Sequence, residues 1–173
     1  MAGAYRQERN IEKSLMEEIR SILTANSYTK ITVVKSFKQA SKITLTSEEK
    51  NGIIVAKITN TRHPGAEVGS RQTIRKPLII IDIFGTSDGQ IKDIKDLLIS
   101  ELKDGFTYYE WTTTGGVTSD ATYESGETAN GKIVVEEISD GEVNLGEDKS
   151  QLDVQDRYRW RITISSYKTL LEA

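Results

Sequence analysis

The chain has 173 residues, 36% of them hydrophobic and 28% charged, with a net charge of −3, a single histidine and no cysteine. This is enough apolar material for one core and a single domain over 1–173, and the lack of cysteine excludes disulfides, thiolate metal sites and a cysteine nucleophile. No apolar run approaches bilayer-crossing length, and the charged start MAGAYRQERN has no hydrophobic segment behind it, so we expect a soluble chain with no membrane partner and no secretory signal.

Ile11, Leu15, Met16, Ile19, Ile22 and Leu23 recur at helical spacing, which predicts an amphipathic first helix with Asn10 as its N-cap. Strand composition follows over 31–37 and, after a polar link over 46–52, over 53–59. Residues 60–76 are polar and carry Pro64, Gly65 and Gly69, which predicts an exposed loop. The Leu/Ile run over 78–84 lies between Pro77 and Gly85 and reads as a strand covered on both faces. Ser87 or Asp88 then caps a helix over 90–103 whose Ile91, Ile94, Leu98 and Leu102 share a face.

Aromatic and β-branched residues predict a strand over 106–114, with Trp111 in the core. Nearly all of 115–131 is Thr, Ser, Gly, Asp, Glu or Ala, the composition of a long flexible loop. A strand over 132–138, a polar connection over 139–155 and a last strand over 157–167 complete the chain. That last strand alternates, with Tyr158, Trp160, Ile162 and Ile164 on one face and Arg157, Arg159, Arg161, Thr163 and Ser165 on the other. The order α-β-β-β-α-β-β-β holds too few helices for a doubly wound sheet. It predicts an α+β fold: a mainly antiparallel sheet with two helices packed on one face, and long exposed loops.

Candidate chemistry centres on the end of the 78–84 strand. Ile81-Asp82-Ile83-Phe84-Gly85-Thr86 resembles the nucleophile loop of haloacid dehalogenase-like phosphatases, an apolar strand ending in Asp, one residue, Asp, Gly, Thr. Phe84 stands where that pattern places the general acid/base carboxylate. That family places this loop near the start of repeated β-α units, with a Lys and a further acidic pair downstream to hold magnesium, whereas here the loop lies midway and the later part reads as sheet. Asp82 is thus either a phosphatase-like nucleophile or a carboxylate that caps a turn or pairs with an arginine. The 85–89 turn lacks the Gly-Lys-Ser/Thr of a P-loop. His63, beside Arg62, has no second histidine with which to share a metal, and the acidic stretch lacks calcium-loop spacing. We expect no catalytic site, no metal and no cofactor.

Charge is unevenly distributed. Residues 1–80 hold 14 Lys/Arg against 7 Asp/Glu, whereas 117–156 hold 11 acids, among them Asp120, Glu124 and Glu127, against Lys132 and Lys149. Two readings stand: solvated faces, or a basic surface of one subunit meeting an acidic surface of the next. Arg157, Arg159 and Arg161 must find carboxylates, phosphates or water. The acidic total and the absence of a basic helix weigh against nucleic-acid recognition and favour carboxylates on a neighbouring strand or subunit.

Taken together, several segments resemble the tail terminator (tail-to-head joining) proteins of long-tailed bacteriophages. They are Ile19-Arg20-Ser21-Ile22-Leu23 closing the first helix; Ile31-Thr32-Val33-Val34-Lys35-Ser36-Phe37; Pro77-Leu78-Ile79-Ile80-Ile81-Asp82-Ile83-Phe84 with Gly85-Thr86-Ser87-Asp88; the helix over 91–102; and Arg157-Tyr158-Arg159-Trp160-Arg161-Ile162-Thr163-Ile164. The resemblance implies a non-enzymatic virion protein of the tail or neck, assembled in the host cytoplasm. It implies a homo-oligomeric ring, a hexamer, that caps the tail tube, ends its polymerisation and joins it to the head connector or head-completion protein. Another neck or tail-completion ring protein would share this pattern. DNA would pass through the ring without sequence-specific binding. Interface residues are then expected in the two long loops and on the last strand: Arg62, His63, Arg71, Arg75, Asp120, Glu124, Glu127, Arg157, Arg159 and Arg161.

Overall fold

A computed structural model describes residues 7–45, 51–63, 75–114, 123–143 and 159–169. Helix α1 (Gln7–Ala25) leads into β1 (Ile31–Val34), the short α2 (Phe37–Ala40), β2 (Gly52–Arg62) and β3 (Lys76–Gly85). Helix α3 (Asp88–Leu102), β4 (Phe106–Thr114), β5 (Tyr123–Glu142) and β6 (Arg159–Thr169) follow. The six strands form one sheet in the order β1-β2-β3-β6-β5-β4. The fold is α+β as expected, but the sheet is mixed: β1 pairs with β2 in parallel, and the remaining pairings are antiparallel. Parallel neighbours need a crossover, and here it runs through α2.

The apolar stripes of α1 (Ile11, Leu15, Ile19) and α3 (Ile91, Ile94, Leu98) pack on the same sheet face, over Ile54, Ile79, Ile81, Ile83, Ile162 and Ile164. The alternation in β6 therefore sends Ile162 and Ile164 inward as expected, with Trp160 partly buried against the core, while Tyr158 lies outside the described residues. The other face carries a smaller cluster in which Ala40 and Phe37 of α2 cover Ile53, Val55 and Phe84. Only the C-terminal half of β3 is covered on both faces, since Leu78 and Ile80 remain partly exposed. A continuous apolar run does not by itself report which residues lie beneath a helix.

The expected strand over 31–37 stops at Val34 because Ser36 caps α2, its Oγ accepting from the Gln39 N–H at 3.3 Å while Gln39 Oε1 accepts from the Lys35 N–H. The same Ser-x-x-Gln device opens α3. There Ser87 Oγ accepts from the Gln90 N–H, and Gln90 Oε1 accepts from the N–H and hydroxyl of Thr86. Ser87, rather than Asp88, is the cap. Asn10 is not a cap: α1 is already helical at Gln7, and Asn10 is buried, donating its Nδ2–H to the Tyr108 hydroxyl at 3.3 Å.

Two expected loops are partly strand. Residues 60–62 extend β2 and Lys76 starts β3, while 123–131 and 139–142 belong to β5. Backbone pairing does not need apolar side chains where a strand faces water, so a polar composition conceals it. Residues 64–74 and 115–122, to which the loop expectations otherwise refer, lie outside the described residues, as do 144–155 of the expected connection and 157–158 of the expected last strand.

Although β1 and β4 are opposite ends of the sheet, α1 touches both. Arg20 Nη2 donates to Val33 O at 3.2 Å, and Ser14 Oγ accepts from the Tyr109 N–H at 3.0 Å. Glu12 Oε1 accepts from the Ile58 N–H at 2.9 Å, beyond the point where β1 stops covering β2. The sheet thus curls around α1, whose polar side chains satisfy backbone groups along otherwise open edges.

Burial raises the Glu12 pKa, opposed by the Ile58 N–H and the nearby Lys35 and Lys57. Because the folded value lies above the unfolded one, the folded state binds more protons between the two. Glu12 therefore contributes most favourably below its unfolded pKa and loses that contribution as pH rises through the folded one. Glu12→Gln keeps an acceptor without the charge, and should match or exceed the parent at pH 7, with its advantage shrinking toward pH 4. Glu12→Ala orphans the Ile58 N–H and should cost about 1–2 kcal/mol. Urea unfolding at both pH values checks this; a Gln variant less stable than the parent at pH 7 would contradict it.

Candidate functional site

The end of β3 carries a buried ionic cluster. Side chains on a strand alternate, so with Ile81 and Ile83 turned toward α1 and α3, Asp82 and Phe84 face the α2 side. The β3–β6 register sets Arg161 directly opposite Asp82 and Arg159 opposite Phe84. Asp82 is 0% exposed. Arg161 grips it with both ends of the guanidinium, Nε to Oδ1 at 2.9 Å and Nη2 to Oδ2 at 3.0 Å, and Arg159 Nε adds a longer contact to Oδ1 at 3.4 Å. This is the two-pronged geometry that makes arginine–carboxylate pairs strong.

Aromatic rings complete the cluster. The Arg159 guanidinium carbon sits 4.9 Å from the Phe37 ring centroid and 5.2 Å from that of Phe84, and Lys57 Nζ lies 4.7 Å from Phe37. The two rings meet edge to face at 6.3 Å. Two arginines thus converge on one carboxylate, with Lys57 on the ring that Arg159 also touches, and the ring faces offset part of the surplus positive charge. Phe84, the residue that departs from the phosphatase pattern, is buried as the floor of this arrangement.

On the opposite face of β6, Trp160 Nε1 donates to Asp140 Oδ2 at 2.8 Å, and Lys95 of α3 lies 3.6 Å from the same carboxylate and 5.3 Å from the indole centroid. Trp160 packs at the margin of the core rather than within it. Trp111 is buried, with Lys13 Nζ 4.4 Å from its ring. Among the described residues no three His, Asp or Glu side chains gather in a metal-binding group, and no helix is long and apolar enough to cross a membrane.

Among the described residues, the structure gathers the residues expected to act at an interface in two places, the first being Arg159 and Arg161 around Asp82. Arg62 and His63 are exposed at the end of β2, and Arg75 is partly exposed just before β3, so these three lie near one end of the β2–β3 pair. Glu124 and Glu127 lie on β5, their backbones paired with Thr113 and Trp111. Arg71, Asp120 and Arg157 lie outside the described residues.

Sequence reasoning missed the basic end of the sheet. Between Glu18 and Glu48 the chain has Arg20, Lys30, Lys35, Lys38 and Lys42 and no acid. The fold wraps this stretch through β1 and α2, leaving Lys35, Lys38 and Lys42 exposed. Conversely, 106–131 holds Glu110, Asp120, Glu124 and Glu127 and no Lys or Arg, and β4 with the first part of β5 forms the other end. Counting charges over shorter windows would have found both.

No protein-family model matches the chain, and no curated protein matches it.

Proposed function

We propose that this chain is a structural subunit of a bacteriophage virion: a tail terminator that forms a ring on the end of the tail tube, ends tube polymerisation and presents a surface to the head connector. The observation that carries this reading is the segregation of charge to opposite ends of the sheet, β1 with α2 basic and β4 with β5 acidic. A surface basic at one end and acidic at the other is complementary to a second copy in a head-to-tail sense, the contact from which closed rings are built.

The Asp82 cluster supports a structural role for the strand end. A nucleophilic carboxylate needs a free oxygen facing substrate, whereas both Asp82 oxygens accept N–H groups from β6 and the residue has no exposed surface. In this reading the finer architecture, two long helices on one face and a largely antiparallel sheet, serves as a rigid wall. Arg62, His63 and Arg75 then belong to the surfaces that meet tube or connector. The ring resides in the tail or neck of the virion, and DNA passes through it without base-specific contact.

Light scattering of the purified chain, joined to negative-stain microscopy, is the direct test, with rings of about six subunits expected. A strict monomer at every concentration would overturn the ring. A magnesium-dependent phosphatase activity on p-nitrophenyl phosphate that disappears in Asp82→Asn would favour the haloacid dehalogenase-like alternative instead.

A further inference from the structure

Arg161 has a second edge. A guanidinium carries five N–H donors in one rigid plane, and the grip on Asp82 uses Nε and one N–H of Nη2. The other N–H of Nη2 and those of Nη1 have no partner among the described residues, which leaves a second fork at the partly exposed tip of the side chain. The pairing of β5 with β6 builds a hollow beside it. Gly141 lies opposite Arg161 and Ser139 opposite Thr163, and these four border a space of ≈ 290 Å³ on the α2 side of the sheet. A Cβ on Gly141 would meet nothing within 4 Å, so glycine here leaves room next to the guanidinium. Asp140 and Glu142 also border the hollow, but they pair with Ile162 and Trp160. The pleat therefore turns their side chains to the α1 and α3 face, where Asp140 accepts from the Trp160 N–H.

We infer that this hollow binds a terminal phosphate group, either inorganic phosphate or a phosphate monoester, on the free fork of Arg161 and the hydroxyls of Ser139 and Thr163. The inference does not rest on the ring reading. Charge selects an anion, because Arg159 and Arg161 share one carboxylate and leave a surplus of positive charge. Geometry favours phosphate: two of its oxygens fit the fork, and a further oxygen out of the fork plane is left for the hydroxyls, whereas both carboxylate oxygens lie in that plane. A phosphodiester has only two unbridged oxygens and carries chain on both sides, which weighs against a nucleic-acid backbone. Asp82 holds the guanidinium in place before the anion arrives, so less ordering is needed on binding. Because Asp82 lies on the β3 side of Arg161 and the hollow on the β5 side, the site binds phosphate without presenting it to that carboxylate.

Proton–nitrogen correlation spectra of the full chain, titrated with sodium phosphate against sodium chloride at matched ionic strength, test the site. Saturable shifts centred on Ser139, Gly141 and Thr163 are expected, with an apparent Kd on the order of 1 mM. Gly141→Glu sets a carboxylate beside the fork at a position with room for it, and should weaken phosphate binding by about tenfold or more. Ser139→Ala combined with Thr163→Val removes both hydroxyls and should weaken it less. Both variants keep Arg161 and its grip on Asp82, and the same spectra report whether they are folded. Shifts no larger than those from chloride, or binding undiminished in Gly141→Glu, would overturn the inference. So would acetate, or a thymidine oligonucleotide without a terminal phosphate, binding at these residues as tightly as phosphate.

Discussion

Arg161→Leu is expected to destabilise the fold by about 3–5 kcal/mol, the cost of leaving a buried charge without its partner, and to do so more severely than Asp82→Leu. The asymmetry follows from exposure. Asp82 has no accessible surface, so when Arg161 is removed Oδ2 loses its N–H donor and, among the described residues, only the 3.4 Å contact from Arg159 to Oδ1 remains. When Asp82 is removed instead, Arg161, whose side chain is 37% exposed, can turn its guanidinium to solvent. Arg159, at 14%, is less free but still rests on two aromatic rings. We expect Asp82→Leu to cost about 1–3 kcal/mol and the double leucine variant to recover part of the Arg161→Leu loss. Urea midpoints at an unchanged m-value measure all three. An Arg161→Leu variant no less stable than Asp82→Leu would mean that the carboxylate is not the buried charge the cluster exists to hold.

Gly131→Ala should be, with Gly105→Ala, one of the two most damaging glycine-to-alanine substitutions among the described residues. Gly131 lies at the bulge where β4 and β5 shift register, between the Thr107–Lys132 and Tyr109–Ala129 pairs. Its φ is +111°, and a Cβ there would fall 2.1 Å from the Thr169 carbonyl oxygen of β6. Unfavourable backbone conformation alone costs about 1–3 kcal/mol. The contact with backbone adds to this, because neither β5 nor β6 can yield without separating. We expect a loss of about 3 kcal/mol or more, or roughly 6 °C or more in Tm for a chain of this size. Gly141→Ala, on the same strand with nothing within 4 Å of the added atom, is the matched control and should shift stability by less than about 1 kcal/mol. Equal effects of the two would show that the bulge does not require glycine at position 131.

Helices were legible where apolar residues recur over several turns, as in α1 and α3, because only that period lets one face reach the core. Helix α2 was hidden by its length. Four residues give no period, and the β-branched run before it read on into Phe37. The signal was nevertheless present as Ser36-x-x-Gln39, the same spacing as Ser87-x-x-Gln90. Polar strand residues were the opposite failure. The first part of β5 carries Thr, Ser, Gly and Glu, and its order comes from backbone hydrogen bonds to β4 that no side chain announces.

The Asp82 cluster was half legible. An aspartate in an apolar strand and alternating arginines in another each called for a partner, and a neighbouring strand was among the partners considered. That they are partners of each other depends on β6 inserting between β3 and β5 with Arg161 opposite Asp82, a register set by tertiary packing.

Composition and periodicity by themselves determined the α+β class and an Ile/Leu-rich core, with α1 and α3 amphipathic and β6 turning one face inward. Those features follow from local spacing and from the free energy of burying apolar groups, which depend little on which strand lies beside which. The tertiary structure alone decided the parallel β1–β2 pair, the curl of the sheet around α1, the arginine clasp on Asp82 and the separation of basic and acidic ends. Each of these joins residues distant in the chain through strand order and register, quantities that emerge only when the whole set of backbone hydrogen bonds is satisfied at once.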